Sequence, residues 1–92
     1  HQVMTGCTVL TDDARQTFTE VTTLTFRPLT DREIQRYVDT GEPMDKAGAY
    51  GIQGGAALFC PGIQGDYYNV MGLPVCHLGT VLRTLGVLEE EA

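Results

Sequence analysis

Residues 39–55 read Asp-Thr-Gly-Glu-Pro-Met-Asp-Lys-Ala-Gly-Ala-Tyr-Gly-Ile-Gln-Gly-Gly, and this density of glycine sets the tightest limit on what the chain can fold into. A glycine costs about 1 kcal/mol relative to alanine inside a helix and also weakens a strand interior. No long regular element can run through such a segment. Two uses of it stay open: a turn-rich connector whose glycines supply positive φ, or a place where backbone lies close to another backbone or to a phosphate-bearing ligand. The segment also holds the only lysine, Lys46. Asp39, Glu42 and Asp45 precede it at a spacing of three, and Gly48, Gly51 and Gly54 follow at the same spacing, interleaved with Tyr50 and Gln53. Neither G-x-x-x-x-G-K-[ST] nor G-x-G-x-x-G is present.

Around this segment the periodicities predict an α/β fold, a mixed sheet flanked by helices, in the order strand-strand-helix-strand-strand-helix. Residues 3–11 alternate Val3, Thr5, Cys7 and Val9 against Met4, Gly6, Thr8 and Leu10, apolar on parts of both faces, which predicts a strand near the middle of a sheet. Turn residues at 11–14 lead to a second strand over 17–27 with Phe18, Leu24 and Phe26 in register, completing an antiparallel pair. Pro28 stops it. Thr30 and Glu33 then form a capping-box pattern for a helix whose apolar face is Ile34, Tyr37 and Val38, ended by Gly41 and Pro43. The short apolar run 56–60 fits a buried strand or a helix tail, and its length favours the strand. Residues 64–66 read as a turn, and 67–71 as a strand returning beside that run. Pro74 opens a last helix with Val75, Leu78, Leu82 and Leu85 at helical spacing, closed by Gly86. Glu89, Glu90 and Glu91 read as a solvated tail.

Ninety-two residues make one small domain that buries only about two-thirds of its unfolded surface. A formal charge of −6 with six basic residues argues against polymeric nucleic acid or an anionic membrane as partner, although one nucleotide with a metal ion stays compatible. Cys7, Cys60 and Cys76 are odd in number and contain no C-x-x-C pair, which suits free thiols in a reducing, cytoplasmic setting. No apolar run is long enough to span a bilayer, and the start at His1 is neither a signal peptide nor a natural initiation site, so the chain is expected to continue upstream.

The stretch Gly-Glu-Pro-Met-Asp-Lys-Ala-Gly-Ala-Tyr-Gly-Ile-Gln-Gly at residues 41–54 resembles the signature of the Maf (septum formation) family. His1-Gln-Val-Met-Thr-Gly6 resembles the strand that opens the second half of such proteins, and Asn69-Val-Met-Gly-Leu-Pro74 their closing motif. The resemblance covers essentially the whole chain but only the C-terminal half of a Maf protein. It implies half of a Maf/inosine-triphosphatase-like fold and a nucleoside triphosphate pyrophosphatase that uses a divalent cation, Mg²⁺ or Mn²⁺. The Lys-Ala-Gly-Ala-Tyr-Gly-Ile-Gln wording is similar to the branch acting on dTTP and UTP. The family's Ser-Pro-Arg-Arg-type phosphate loop and catalytic aspartate belong upstream, so no catalytic residue is assigned within these residues, and the piece alone is expected to be inactive. A homodimer, or association with the missing half, is the expected assembly.

Under that resemblance Gln53 is the candidate for substrate choice, since an amide can donate to and accept from the imide edge of a pyrimidine. Lys46 is the candidate phosphate cation, and Gly51 and Glu42 complete the substrate-binding set. Glu42, Asp45 and Asp66 are possible metal carboxylates, though carboxylates beside turns are usually just solvated. Tyr50, Tyr67 and Tyr68 could stack on a base, against their commoner role in a core or interface. Cys76 and His77 are adjacent, which separates them on a helix and favours packing. A non-enzymatic dimerisation or scaffold module, with the glycines serving packing alone, is the alternative from a different class.

Overall fold

Strands β1 (Gln2–Leu10) and β2 (Arg15–Thr25) form an antiparallel hairpin in this computed structural model, which describes residues 1–89. The register runs from Gln2 opposite Thr23 to Leu10 opposite Arg15. Thr11 closes the turn by donating its N–H to Ala14 O (2.8 Å) and accepting from Ala14 N–H on its hydroxyl (3.0 Å). A short third strand, β3 (Gly62–Gln64), completes a sheet ordered β1-β2-β3. The mixed α/β class expected from the pattern therefore holds. The placement of β1 does not: it lies at the sheet edge, with Val3, Thr5, Cys7 and Val9 half-buried and the alternate residues exposed. Its second apolar set, Met4 and Leu10, faces away from cover.

The chain divides into two units, one made of His1–Thr23 with the segment from Gln64 onward, the other of Leu24–Ile63. In the first, Phe18, Thr22, Asn69, Pro74 and Val81 are buried. Residues 67–71, expected as a strand, form helix α2 (Tyr67–Met71) instead. Asp66 caps it by accepting from Tyr68 N–H (2.8 Å), and Gly72, at φ +137°, ends it with its N–H on Tyr68 O (3.1 Å). The cap and the terminal glycine outweigh the β preference of two tyrosines and a valine. Gly65 is obligatory before it: φ is +119°, and a Cβ would lie 3.1 Å from Thr22 Cα. Helix α3 (Val75–Thr84) starts after Pro74, and Gly86 (φ +77°) follows its end, as expected. Its innermost residue, however, is Val81 rather than the exposed Val75. Glu89 is exposed, while Glu90 and Glu91 lie outside the described residues.

In the second unit Thr30 and Glu33 make the expected capping box: Thr30 Oγ1 accepts from Glu33 N–H, and Glu33 Oε1 from Thr30 N–H, both at 3.1 Å. Helix α1 (Asp31–Asp39) follows. Ile34 and Val38 on its apolar face remain 46% exposed each, so only Tyr37 is drawn well inward. The run 56–60, favoured above as a strand, instead falls mostly in a 3₁₀ turn (Gly55–Phe59). Its burial period is three: Ala56 and Phe59 are buried while Leu58 is 78% exposed. A strand would have put residues 56 and 58 on one face, whereas a 3₁₀ turn stacks i on i+3. Edge-to-face contacts then run from Tyr50 to Phe26 (5.1 Å), Phe26 to Phe59 (6.4 Å) and Phe59 to Tyr37 (5.3 Å), tying the glycine segment to α1.

Candidate functional site

The glycine segment begins where α1 ends. Gly41, at φ +79°, reverses the chain, and Pro43 fits the start of a 3₁₀ turn (Glu42–Asp45) because its missing N–H is not needed there. Two further turns close with Ala49 N–H on Lys46 O and Gly54 N–H on Gly51 O, each at 3.0 Å. Ala49 sits at φ +61°, an unusual conformation for a residue with a Cβ. Hence the segment is a chain of tight turns, with a strained alanine among its glycines.

What the glycines make room for is part of the chain itself. A Cβ on Gly54 would lie 1.5 Å from Glu42 Oε1, one on Gly51 2.9 Å from the same oxygen, and one on Gly55 3.1 Å from Tyr37 Cε1. The Glu42 carboxylate accepts from Gly55 N–H (3.1 Å), and the Tyr37 hydroxyl accepts from Gly51 N–H (2.8 Å). Burial pushes the Tyr37 phenol up, the Gly51 N–H pulls it down, and the neighbouring Glu42 carboxylate pushes it up further. Of the partners expected for a close approach, another backbone or a ligand, neither lies against these glycines here; the Glu42 and Tyr37 side chains do.

Three of the four sequence-proposed residues meet at Gly51. Glu42 lies on one side of it, and Lys46 Cε would be 3.4 Å from a Cβ placed there. Lys46 Nζ is 3.8 Å from Asp45 Oδ1, and both side chains are exposed, so this pair contributes little and leaves the cation accessible. Gln53 is exposed on the same turn, two residues from Gly51 and two from Gly55. Tyr50 packs edge-on to Phe26, and burial pushes its hydroxyl up, which places it in the aromatic cluster.

Two clefts flank the Tyr37 and Phe59 rings. One, of about 310 Å³, is walled by Ile34, Val38, Pro43 and Tyr50; the other, of about 240 Å³, by Arg27, Arg36, Thr40 and Gly55. Arg27 was not singled out from the sequence, yet it organises this side. Its guanidinium forks onto Glu33, donates from Nε to Leu58 O (3.2 Å) and lies over the Phe59 ring. The hydrogen bond from Arg27, with a second from Thr30 N–H, lowers the Glu33 carboxyl to about 2. An arginine just before Pro28 and six residues before a capping glutamate was the available signal.

In the other unit a cleft of about 540 Å³ is lined by Glu20, Asp66, Tyr67, Tyr68, Cys76 and His77. His77 stacks on Phe18 (3.9 Å between centroids) and sets Nδ1 3.0 Å from Glu20 Oε1, while Cys76 is exposed, so the two adjacent residues do diverge. Tyr67 and Tyr68 contact each other edge to face and stay partly exposed. Asn69 is fully buried: its Nδ2 donates to Val3 O (3.1 Å), Glu20 O (3.4 Å) and Thr22 Oγ1 (3.1 Å), leaving Oδ1 without a partner. Among the described residues no three acidic, histidine or cysteine side chains converge as a metal cage. The Glu42 carboxylate is turned to Gly55 N–H, and within its own unit the Asp66 carboxylate caps α2 through Tyr68 N–H.

Residues 1–85 match the family described as Maf-like protein. The chain is 54% identical over 87 residues to a dTTP/UTP pyrophosphatase of Bacillus pumilus (strain SAFR-032), an overlap of 95% of this chain and 46% of that protein. It is 57% identical over 85 residues to a dTTP/UTP pyrophosphatase of Alkaliphilus metalliredigens (strain QYMF), covering 90% of this chain and 44% of the relative. For the dTTP/UTP pyrophosphatase of Carboxydothermus hydrogenoformans (strain ATCC BAA-161 / DSM 6008 / Z-2901) the figures are 53% over 88 residues, 94% and 47%. The chain thus spans about half the length of the curated relatives it matches, in their C-terminal part.

Proposed function

Because this chain belongs to the Maf-like protein family, we propose that it is the C-terminal half of a nucleoside triphosphate pyrophosphatase that hydrolyses dTTP and UTP to the monophosphate and pyrophosphate. The observation that carries the proposal is the identity of more than half the aligned residues with relatives named as dTTP/UTP pyrophosphatases. The scaffold-module alternative is less favoured on the same ground.

In this reading Gln53 reads the base edge, and Lys46 neutralises phosphate charge from its accessible position beside Gly51. Both are on the glycine segment, as a shared ligand requires. Mg²⁺ or Mn²⁺ is the cofactor the resemblance implies. The attacking water and its base belong to the other half of the protein. Cytoplasmic location follows from the reducing setting that an odd number of thiols suits, and pairing of this half with its counterpart or a second copy would cover exposed residues such as Met4 and Leu10.

The test is release of pyrophosphate from dTTP, UTP, CTP and GTP with Mg²⁺ or Mn²⁺, measured for the 92-residue chain and for the complete protein that contains it. Activity on dTTP and UTP in the complete protein, with none in the isolated chain, is the expected result. Absence of pyrophosphate release by the complete protein would overturn the proposal.

A further inference from the structure

Gln53 lies at the centre of a five-residue turn whose two ends are held by different side chains. At one end Gly51 N–H is held by the Tyr37 hydroxyl at 2.8 Å; at the other Gly55 N–H is held by the Glu42 carboxylate at 3.1 Å. Between them the Gly54 N–H to Gly51 O bond (3.0 Å) closes the turn. Both holders are themselves fixed. Tyr37 stands on α1 with its ring edge against buried Phe59, and Glu42 is anchored where its own N–H donates to Thr40 Oγ1 (3.2 Å). Glycine at 51 and 54 is what lets the carboxylate come this close, since a Cβ at either position would meet it at under 3 Å.

We infer that Tyr37 and Glu42 are positioning residues for base recognition: they clamp both shoulders of the turn and so fix where the Gln53 amide is presented. The inference rests on the proposed role of Gln53 and extends it to two side chains that need not touch the nucleotide. A recognising amide must keep its donor and acceptor in a fixed orientation, or its discrimination between bases is averaged away. Gln53 is exposed, so burial does not fix that orientation. Its backbone supplies it, through Gly51 and Gly55.

The experiment uses Tyr37→Phe, Glu42→Ala, Glu42→Gln and Gln53→Ala, with two readouts. Amide hydrogen exchange on the chain reports the clamp. Tyr37→Phe keeps the ring on Phe59 but removes the acceptor, so Gly51 exchange should rise about threefold to tenfold, and Glu42→Ala should do the same at Gly55. Glu42→Gln keeps an acceptor oxygen and should retain protection. The ratio of kcat/KM for dTTP over CTP, measured in the complete protein, reports recognition. It should fall about threefold to tenfold in Tyr37→Phe and Glu42→Ala and recover in Glu42→Gln. A merely structural role would lower both substrates alike. Unchanged exchange at Gly51 and Gly55 overturns the clamp. A ratio that falls in Gln53→Ala but not in the clamp variants overturns positioning and keeps Gln53 as the reader. A ratio unmoved by Gln53→Ala removes the reader, and the positioning role with it.

Discussion

Gly54→Ala isolates the contact on which the glycine segment is built. The new Cβ would lie 1.5 Å from Glu42 Oε1 and 2.6 Å from Cδ, so the carboxylate must leave its place. Gly54 has φ −108° and ψ −139°, outside the left-handed region but also outside the β and right-handed helical ones. Because Glu42 is the free end of a flexible side chain, the main loss is its hydrogen bond to Gly55 N–H rather than a backbone clash. A hydrogen bond to a charged acceptor at a partly exposed site contributes about 1–1.5 kcal/mol. Gly54→Ala should therefore destabilise by about 1 kcal/mol in the parent. In a Glu42→Ala background the carboxylate is no longer there to be displaced, and the same change should cost less than in the parent. The two changes should couple by about 1 kcal/mol. Urea unfolding of the four chains by circular dichroism measures it. A Gly54→Ala effect of one sign and size in both backgrounds would refute the seating of Glu42 on the glycines.

Other outcomes follow from neighbouring contacts. Glu33, lowered from 4.5 to about 2 chiefly by its hydrogen bond from Arg27, contributes stability that is complete above pH 4.5 and is lost as pH falls through about 2. Glu33→Gln should flatten stability against pH in that window, and an unchanged slope would discount the pair. Asn69→Asp replaces an amide donor facing three acceptors with a further acceptor and should cost on the order of 3 kcal/mol; a urea midpoint equal to the parent's would contradict the bonding described. In the complete protein, Gln53→Ala should lower kcat/KM for dTTP and UTP roughly tenfold to a hundredfold, more than for CTP or GTP, through an unpaired substrate edge. Lys46→Ala should weaken all four alike, since a cation beside phosphates does not sense the base. An equal loss for every base in Gln53→Ala would return that residue to loop capping.

Elements with local punctuation were legible in the sequence. The Thr30 and Glu33 box, the turn at 11–14 and the Pro74 to Gly86 helix each carry their signals within a few residues of where they act. The runs 56–60 and 67–71 fold otherwise than their patterns predict, because short apolar or aromatic runs do not distinguish a strand from a turn of helix. The burial period of three shows only in the fold of the first, whereas in the second the Asp66 cap and Gly72 are local signals that the β preference of the tyrosines obscures. The edge position of β1 was hidden for a similar reason, since apolar residues on both faces suggest cover on both. At the candidate site, spacing drew attention to Lys46, Gln53, Gly51 and Glu42, and three of them do gather. What spacing could not reveal was Tyr37, fourteen residues before the amide it holds. It read as a member of an apolar stripe, because a tyrosine shows its ring in the pattern and its hydroxyl only in the fold.

The buried Asn69 has a consequence for how the hairpin finds its pairing. Val3 and Thr22 are direct partners across β1 and β2, and Glu20 is paired with Thr5, so the three acceptors of the Asn69 amide come together in a single register. The strands specify that register weakly by themselves, being rich in threonine with few buried apolar residues. A hairpin slipped by one residue would keep a nearly full ladder, yet it would turn Thr22 and Phe18 outward and leave α2 with an amide and no acceptors. Docking of α2 therefore adds to the preference for the observed register, because the Asn69 amide finds its three acceptors together there.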